Sequence, residues 1–383
     1  SRTIAHNSIC VYDSTERYYS FNKPVANDGG QIESPALMNY DEIFLPKNQR
    51  GKWIQYLATD EFSYSVADAQ LSYNPQKLDY FRRRLLHFKP NNVFVLDNVH
   101  LINSDSAQRD VFMTLHFAEE PICYGSTTDS NKTGIIKYDD TKDIFASNGN
   151  GNVAIRTLVP AETELTKIGG DGYEYYTDGK NFPPIKAYDT LRNTPGAWRI
   201  EVRPKFFTDS VTFVHSIEVG ESSAPSSSRA ENRSSDSTIA ILLDSTIFFF
   251  SPDGKKNSLR TVDSIFGTDP IRLFALDLEE GIYYIKLNNE VVNTIVVQSD
   301  GLLRDNVEPN AIWNKIEITK FFASYQDLAI ANDDIIRYSN VSNRITVRNT
   351  ENSIDIYDLK GRIVMQAKGN NEYCTESLSK GVY

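Results

Sequence analysis

Cysteine is scarce in this chain, which has three in 383 residues. Cys10, Cys123 and Cys374 lie far apart and form neither a CxxC pair nor an even set. This pattern excludes a disulfide framework and a cysteine-rich zinc site. We therefore expect free, mostly buried thiols.

Long apolar runs and positive charge are also lacking. The longest apolar candidate, around Thr246–Phe250, is far shorter than the roughly 18 residues that a membrane span requires, so no membrane span is expected. The formal net charge of -11 argues against nucleic acid as a partner. An anionic ligand would need a locally basic cleft.

Several catalytic signatures are missing as well. The sequence has no GxSxG elbow, no GxxxxGK[ST] phosphate loop and no HExxH zinc motif. The acidic segments Tyr138–Asp140 and Asn332–Asp334 are typical of turns, with calcium binding as the open alternative. Paired carboxylates for glycoside hydrolysis stay open, because their separation in space is not readable from sequence.

The chain is rich in aromatic residues, with 21 Tyr and 20 Phe against 3 Met. Such rings suit half-buried pleated surfaces, or a surface on which sugars stack. Residues 3–220 consist of short β-branched and aromatic runs separated by Asn, Asp, Gly and Pro, and several runs alternate apolar with polar residues. Few segments have helical periodicity; the best helix candidate is Lys77–Arg84, and it suits a strand equally.

We predict an all-β protein: a large antiparallel β-sandwich followed by one or two small β-sandwich modules. The sandwich covers 1–220, and the Ser-rich segment 221–237 is a linker or exposed loop because it has almost no apolar residue. A small β module covers 238–300, with a hairpin turn at Leu287–Glu290. A polar connection, 301–334, leads into a third unit, 335–383.

His6 differs from the other four histidines, which lie in segments typical of strands. On its residues alone, a lone histidine beside an apolar run is more often core than ligand. However, the segment Arg2–Asp13 (RTIAHNSICVYD) is followed by Asn27–Gln31 (NDGGQ). Together these segments resemble the start of the β-sandwich domain in heparinase II/III-type polysaccharide lyases.

The resemblance implies that His6 is a ligand of a structural zinc ion. Its partners would be a His from a His-x-His pair and an Asp, both upstream of the present chain, since a structural zinc site needs about four ligands. Asn7 is either a group that holds the His6 ring or the partner in a plain strand-end hydrogen bond.

The same resemblance implies weak substrate contacts at Arg2, Asn7, Asn27, Asp28 and Gln31. Glycines 29 and 30 permit a tight turn, which in the functional interpretation brings backbone donors and Gln31 near a sugar. No catalytic residue is expected in this chain, because the family's base and its carboxylate-neutralising groups precede the visible region. The reaction implied is β-elimination on a uronic acid.

The carboxyl-terminal segments Asn343–Val347, Ile354–Val364 and Leu378–Tyr383 resemble the type A sorting domain of the type IX secretion system of Bacteroidetes. The family pattern continues past Gly-Val-Tyr, so the signal is truncated here. A generic small β-sandwich is the alternative. The resemblance implies the type IX machinery as a partner and a secreted or cell-surface location.

These observations favour the carboxyl-terminal part of a secreted lyase that cleaves an acidic, uronic-acid-containing polysaccharide. The chain starts at Ser1 without a leader, so we interpret it as a fragment, inactive by itself. Two rivals remain: a non-catalytic secreted carbohydrate-binding or adhesive β protein, and an accessory domain of a glycoside hydrolase.

Overall fold

The computed structural model describes residues 3–20, 23–32, 40–102, 109–127, 134–139, 141–183, 197–221, 228–321, 328–329, 335–339, 344–348, 353–357, 363–368 and 371–374. Arg2, which we expected to contact substrate, lies outside these ranges. So do the acidic segment 332–334 and the last nine residues of the chain.

The protein is all-β, as predicted. In the described ranges the helical elements are short 3₁₀ turns at Thr3–Ala5, Tyr40–Phe44, Pro46–Asn48 and Gln70–Ser72. The segment for which a helix was considered is a strand, Leu78–Phe88. It pairs antiparallel with a neighbouring strand on each side, which a helix cannot do.

The described residues up to Glu221 form eighteen strands. They are β1 (Ile9–Asp13), β2 (Tyr18–Ser20), β3 (Lys23–Val25), β4 (Lys52–Ala58), β5 (Phe62–Asp68), β6 (Leu78–Phe88), β7 (Asn92–Leu101), β8 (Arg109–Phe117), β9 (Ile122–Cys123), β10 (Ser126–Thr127), β11 (Ile135–Asp139), β12 (Asp143–Asn148), β13 (Gly151–Val159), β14 (Thr163–Gly169), β15 (Tyr176–Thr177), β16 (Lys180–Asn181), β17 (Trp198–Pro204) and β18 (Ser210–Glu221).

Two antiparallel sheets form a sandwich from these strands. The six-stranded sheet has the order β1-β8-β17-β14-β11-β10, and the eight-stranded sheet has the order β4-β5-β6-β7-β18-β13-β12-β9. Apolar side chains from the facing strands fill the space between them, among them Val11, Phe81, Val99, Met113, Ile200 and Phe213. The large predicted β-sandwich is therefore present.

Nine further strands follow in the same compact unit. They are β19 (Glu231–Asn232), β20 (Ile239–Leu243), β21 (Thr246–Phe250), β22 (Leu259–Phe266), β23 (Ile271–Ala275), β24 (Gly281–Leu287), β25 (Glu290–Val297), β26 (Leu303–Val307) and β27 (Trp313–Lys320). They form a five-stranded sheet, β19-β20-β21-β23-β26, and a four-stranded sheet, β22-β27-β24-β25.

These two sheets extend the stack of layers. The outer face of the eight-stranded sheet packs on the five-stranded sheet through aromatic side chains such as Tyr64, Phe94, Phe248 and Phe274. A separate apolar cluster joins the five-stranded sheet to the four-stranded sheet. Residues 1–319 accordingly form one compact unit, while the domain boundaries predicted at 220, 238 and 300 stay predictions.

The predicted hairpin between β24 and β25 is confirmed. Leu287 pairs with Glu290, and Asn288 and Asn289 both have positive φ, 52° and 71°. Two such residues match the twist of the flanking strands in a two-residue turn, and asparagine tolerates this conformation well.

Residues 320–383 form a second compact unit. Its described strands are β28 (Leu328–Ala329), β29 (Ile335–Ser339), β30 (Arg344–Arg348), β31 (Ser353–Tyr357), β32 (Ile363–Lys368) and β33 (Asn371–Cys374). They form the sheet β28-β29-β30-β33 and the pair β31-β32. The turn predicted at 358–361 lies outside the described residues.

Two expectations about composition can be compared with the fold. Cys10, which is buried, and Cys123, which is half-buried, are free thiols. Within the described ranges no helix has the length and apolar character needed to cross a membrane.

Candidate functional site

The segment that leads into β1 carries His6 and Asn7, and both residues are exposed. A 3₁₀ turn precedes it, closed by the hydrogen bond from the His6 amide to the Thr3 carbonyl, 3.0 Å. The buried Thr114 hydroxyl donates to the His6 carbonyl, 2.6 Å, and accepts from the Ser8 amide, 3.2 Å. Hydrogen bonds with Thr114 thus fix the backbone around His6 to β8, although His6 is exposed to solvent.

Asn7 connects this segment to two neighbouring strands. Its side-chain Oδ1 accepts from the His116 amide, 2.8 Å, and lies 3.2 Å from the His116 Nδ1. Its carbonyl accepts from Arg83 Nη1, 2.9 Å. The side chain of Asn7 therefore makes a hydrogen bond at the end of a strand, which is one of the two roles expected for this residue.

His116 is the titratable group that sequence reasoning passed over. The pKa of His116 is lowered to about 4, mainly by burial and also by the Arg199 guanidinium and His6, while the Ile4 backbone and Glu201 oppose the shift. Its ring is therefore neutral near pH 7. Asp110, Thr114 and His116, which fall on the same face of β8, were the available signal. Phe112 interrupts this series, and such partial alternation is typical of any half-buried strand.

A chain of ion pairs stabilises the face of the six-stranded sheet beside His116. Glu201 accepts from Arg199 and Arg203, each at 2.8 Å, and Arg203 also contacts Asp110 at 2.7 Å. Burial alone would raise the pKa of Glu201, but the two guanidiniums hold it below its usual range. Because these groups neutralise one another, they position β8 and β17 rather than offering a free charge.

The loop of residues 27–31 lies against β1. The Gly29 carbonyl accepts from the Val11 amide, 2.7 Å, and the Gln31 amide donates to Thr3 Oγ1, 2.8 Å. A Cβ on Gly29, whose φ is +69°, would lie 2.7 Å from the Tyr12 nitrogen. Glycine is therefore required for this close approach.

The predicted contact residues of this loop differ in exposure. Asn27 and Asp28 are 9% and 2% exposed, and their side chains accept from the amides of Gly29 and Gly30. These two residues hold the loop's own backbone. Gln31 is exposed, so it lies with Asn7 and His6 among the predicted site residues at the surface.

A polar cavity of about 510 Å³ lies behind this loop and includes Glu16, Tyr18 and Lys77 in its lining. Lys77 is 1% exposed and donates to Glu16, 2.6 Å, and to the Val11 carbonyl, 2.9 Å. Burial lowers the pKa of Lys77, and Glu16 opposes that shift. The cavity wall was not foreseen because its residues are far apart in sequence.

The described residues do not complete a metal site. Nowhere among them do three or more His, Cys, Asp or Glu side chains group so that they could hold a metal ion. His6 supplies one exposed imidazole, and a structural zinc site needs about four donors. A zinc ion at His6 therefore requires ligands from outside the described ranges.

No protein-family model matches this sequence. No curated protein matches it either.

Solved structures similar to the chain include a mutant of heparan sulfate lyase HepC from Pedobacter heparinus, with 11% identity and a TM-score of 0.34 over 53% of this chain and 28% of that one. The heparinase III BT4657 gene product is 9% identical, with a TM-score of 0.34, over 80% of this chain and 30% of that one. A putative aldose 1-epimerase from Escherichia coli K12 is 9% identical, with a TM-score of 0.28, over 56% and 84%. The chain thus spans less than a third of either lyase.

Proposed function

We propose that this chain is the β-sheet part of a polysaccharide lyase that cleaves uronic-acid-containing glycans by β-elimination. In this proposal the catalytic base and the groups that neutralise the sugar carboxylate belong to a helical region of the same gene product, outside these 383 residues. The chain itself supplies one wall of the cleft.

The observation that carries the proposal is the joint surface of the two motif segments. His6, Asn7 and Gln31 come from segments that are separated in sequence. Even so, the Gln31 amide donates a hydrogen bond to Thr3 Oγ1, and the carbonyl of Gly29 in the same loop accepts one from the Val11 amide of β1. All three residues are exposed. A surface fixed by these hydrogen bonds is suited to hold a partner domain or a polymer without rearrangement.

In β-elimination a base removes the proton at C5 of the uronic acid, and the 4-linked oxygen departs. The developing charge on the carboxylate must be neutralised for the proton to leave near neutral pH. We assign His6 as one ligand of a structural zinc ion, which would cross-link this chain to the helical region. The Asn7 side chain fixes the adjacent end of β8 through the His116 amide.

We further propose that residues 335–383 belong to a type IX sorting domain, so that the protein is secreted or held at the cell surface. Removal of residue 335 and all that follow from the complete gene product should then leave the protein in the periplasm of a bacterium that has this machinery. Undiminished export of the shortened protein would contradict this assignment.

The lyase proposal is tested by expressing the complete gene product and incubating it with heparan sulfate, alginate and ulvan. We expect an ultraviolet-absorbing unsaturated sugar from at least one polymer, and none from the isolated 383 residues. Turnover by the isolated chain would show that the catalytic groups are misplaced. New reducing ends without ultraviolet absorbance would favour the accessory domain of a glycoside hydrolase.

A second candidate function is a non-catalytic carbohydrate-binding or adhesive protein. The exposed rings of Trp53 and Tyr56 favour it, since they are 70% and 65% exposed and aromatic faces suit sugars. Binding of a polymer by the complete gene product without any cleavage would select this function.

A further inference from the structure

The edge strand β4 presents two exposed aromatic rings on one face. In a regular strand, residues three apart point to opposite faces. Here Trp53 lies opposite Ala67 and Tyr56 lies opposite Ser65, and these two partners face the same side of β5. The register shift just after Trp53 makes this possible, because a β-bulge adds one residue to the strand.

Small side chains border the two rings, so the rings stay uncovered. Ala67 and Ser65 are their neighbours on β5. Neither ring makes a ring–ring or cation–ring contact, and neither polar atom is hydrogen-bonded, within the part of the chain that the structure describes. The next residue on this face is Leu85 of β6, which is 39% exposed.

This face is continuous with the candidate site. Ala67 pairs with Arg83 on β6, so Trp53 lies straight across from Arg83, two strand spacings or about 10 Å away. Arg83 in turn donates to the Asn7 carbonyl, 2.9 Å. Asp97 fixes Arg83 through two bonds of 2.6 and 2.8 Å. Arg83 therefore links the segment of His6 and Asn7 to the strands that carry the two rings.

We propose that Trp53 and Tyr56 form a stacking platform for sugar rings of the uronic-acid-containing polymer, beyond the candidate site. The inference rests on the proposed function and adds a binding subsite to it. The apolar C–H face of a pyranose packs on an aromatic ring. Because an aromatic side chain is large and rigid, it loses little conformational entropy when the sugar binds. A protein strand is a poorer occupant, because the bulge interrupts the hydrogen-bonding edge of β4.

Stacking on a ring face does not depend on charge, whereas any ionic interaction with the polymer's carboxylates weakens as the salt concentration rises. The contribution of the platform should therefore stay constant while the total affinity changes with ionic strength. This independence of salt distinguishes the platform from a basic cleft, whose contribution to affinity falls as the ionic strength rises.

The test measures binding of the 383-residue chain to heparan sulfate, alginate and ulvan by affinity electrophoresis and calorimetry. Trp53→Ala and Tyr56→Ala should each weaken binding about fivefold, and the double variant roughly twentyfold. Both losses should be the same at low and at high salt. Trp313→Ala is the matched control, since Trp313 is also exposed, 61%, but lies on β27; its binding should equal that of the unaltered chain.

Three results would overturn the platform: no binding of the unaltered chain to any of the three polymers, unchanged binding in both variants, or an equal loss in the Trp313 control. Self-association that Trp53→Ala abolishes, with glycan binding intact, would assign the face to a second copy of the chain instead.

The platform and the lyase proposal fail separately. If the complete gene product forms unsaturated sugar with an unchanged KM after Trp53→Ala, the platform is wrong and the lyase stands. If Trp53 is needed for binding but no unsaturated product forms, the platform stands and the lyase is wrong.

Discussion

Arg84 and Asp277 form an ion pair of 2.8 Å although they are only 0% and 2% exposed. Arg84 lies on β6 of the eight-stranded sheet, and Asp277 follows β23 of the next layer. The Tyr64 hydroxyl also donates to Asp277, 2.6 Å. Burial would raise the pKa of Asp277, but Arg84 and Arg260 hold it below its usual range. The pair thus joins two layers of the stack through mutually neutralised charges.

Asp277→Asn should lower the free energy of unfolding by about 3–5 kcal/mol, because it leaves Arg84 charged and buried without its partner. Urea unfolding followed by circular dichroism measures the change. Lys286→Met is the control: Lys286 and Glu317 form a pair of the same length, 2.8 Å, with exposures of 31% and 25%, so its loss should cost about 1 kcal/mol or less. Equal costs in the two variants would contradict the role assigned to burial.

The β class, the hairpin at Asn288 and Asn289 and the strand positions could be predicted from sequence, since they follow from local periodicity and turn residues. The Arg84–Asp277 pair could not, because its partners are 193 residues apart and each is ordinary in its own segment. His6 was singled out only through its motif, and its role as a metal ligand stays a prediction. His116 and Trp53 were missed, because their roles depend on strand register and on a bulge.

Gly29→Ala should destabilise the chain strongly. The left-handed backbone alone costs an alanine about 1–2 kcal/mol, and the new Cβ would overlap the backbone of Tyr12, which cannot move aside as a flexible side chain does. We expect a total loss of at least about 3 kcal/mol in urea unfolding. Gly149→Ala separates the two effects, since Gly149 has φ +57° and nothing within 4 Å of its Cβ. A loss at Gly149 as large as that at Gly29 would argue against the close approach.

His6→Ala should remove zinc from the complete gene product, because zinc needs about four ligands and loses affinity steeply with one fewer. Elemental analysis after dialysis should find about one zinc ion per unaltered chain, and a thermal melt should show lower stability in the variant. His100→Ala, at a side chain that is 45% exposed, should retain the metal. Full zinc content in His6→Ala would exclude the metal-ligand assignment.

His215 should make stability depend on pH. Its ring is fully buried, lies 6.2 Å from the Phe213 ring in a stacked arrangement, and burial lowers its pKa to about 3. In the unfolded chain a histidine titrates near 6.5. Below that pH the unfolded state therefore binds a proton that the folded state does not bind. Stability is therefore complete above the unfolded pKa and falls as the pH drops toward 3. His116, with a pKa lowered to about 4, adds to the same fall.

His215→Phe keeps a ring against Phe213 but removes the titrating group. Its free energy of unfolding should fall less steeply between about pH 6 and about pH 4.5, by roughly 1 kcal/mol per pH unit. Urea unfolding at several pH values measures the slope. Val214→Ala, at the neighbouring buried position, should lower stability by the same amount at every pH. If His215→Phe retains the slope of the unaltered chain, the buried imidazole does not cause it, because the only proton this substitution removes is the one on His215.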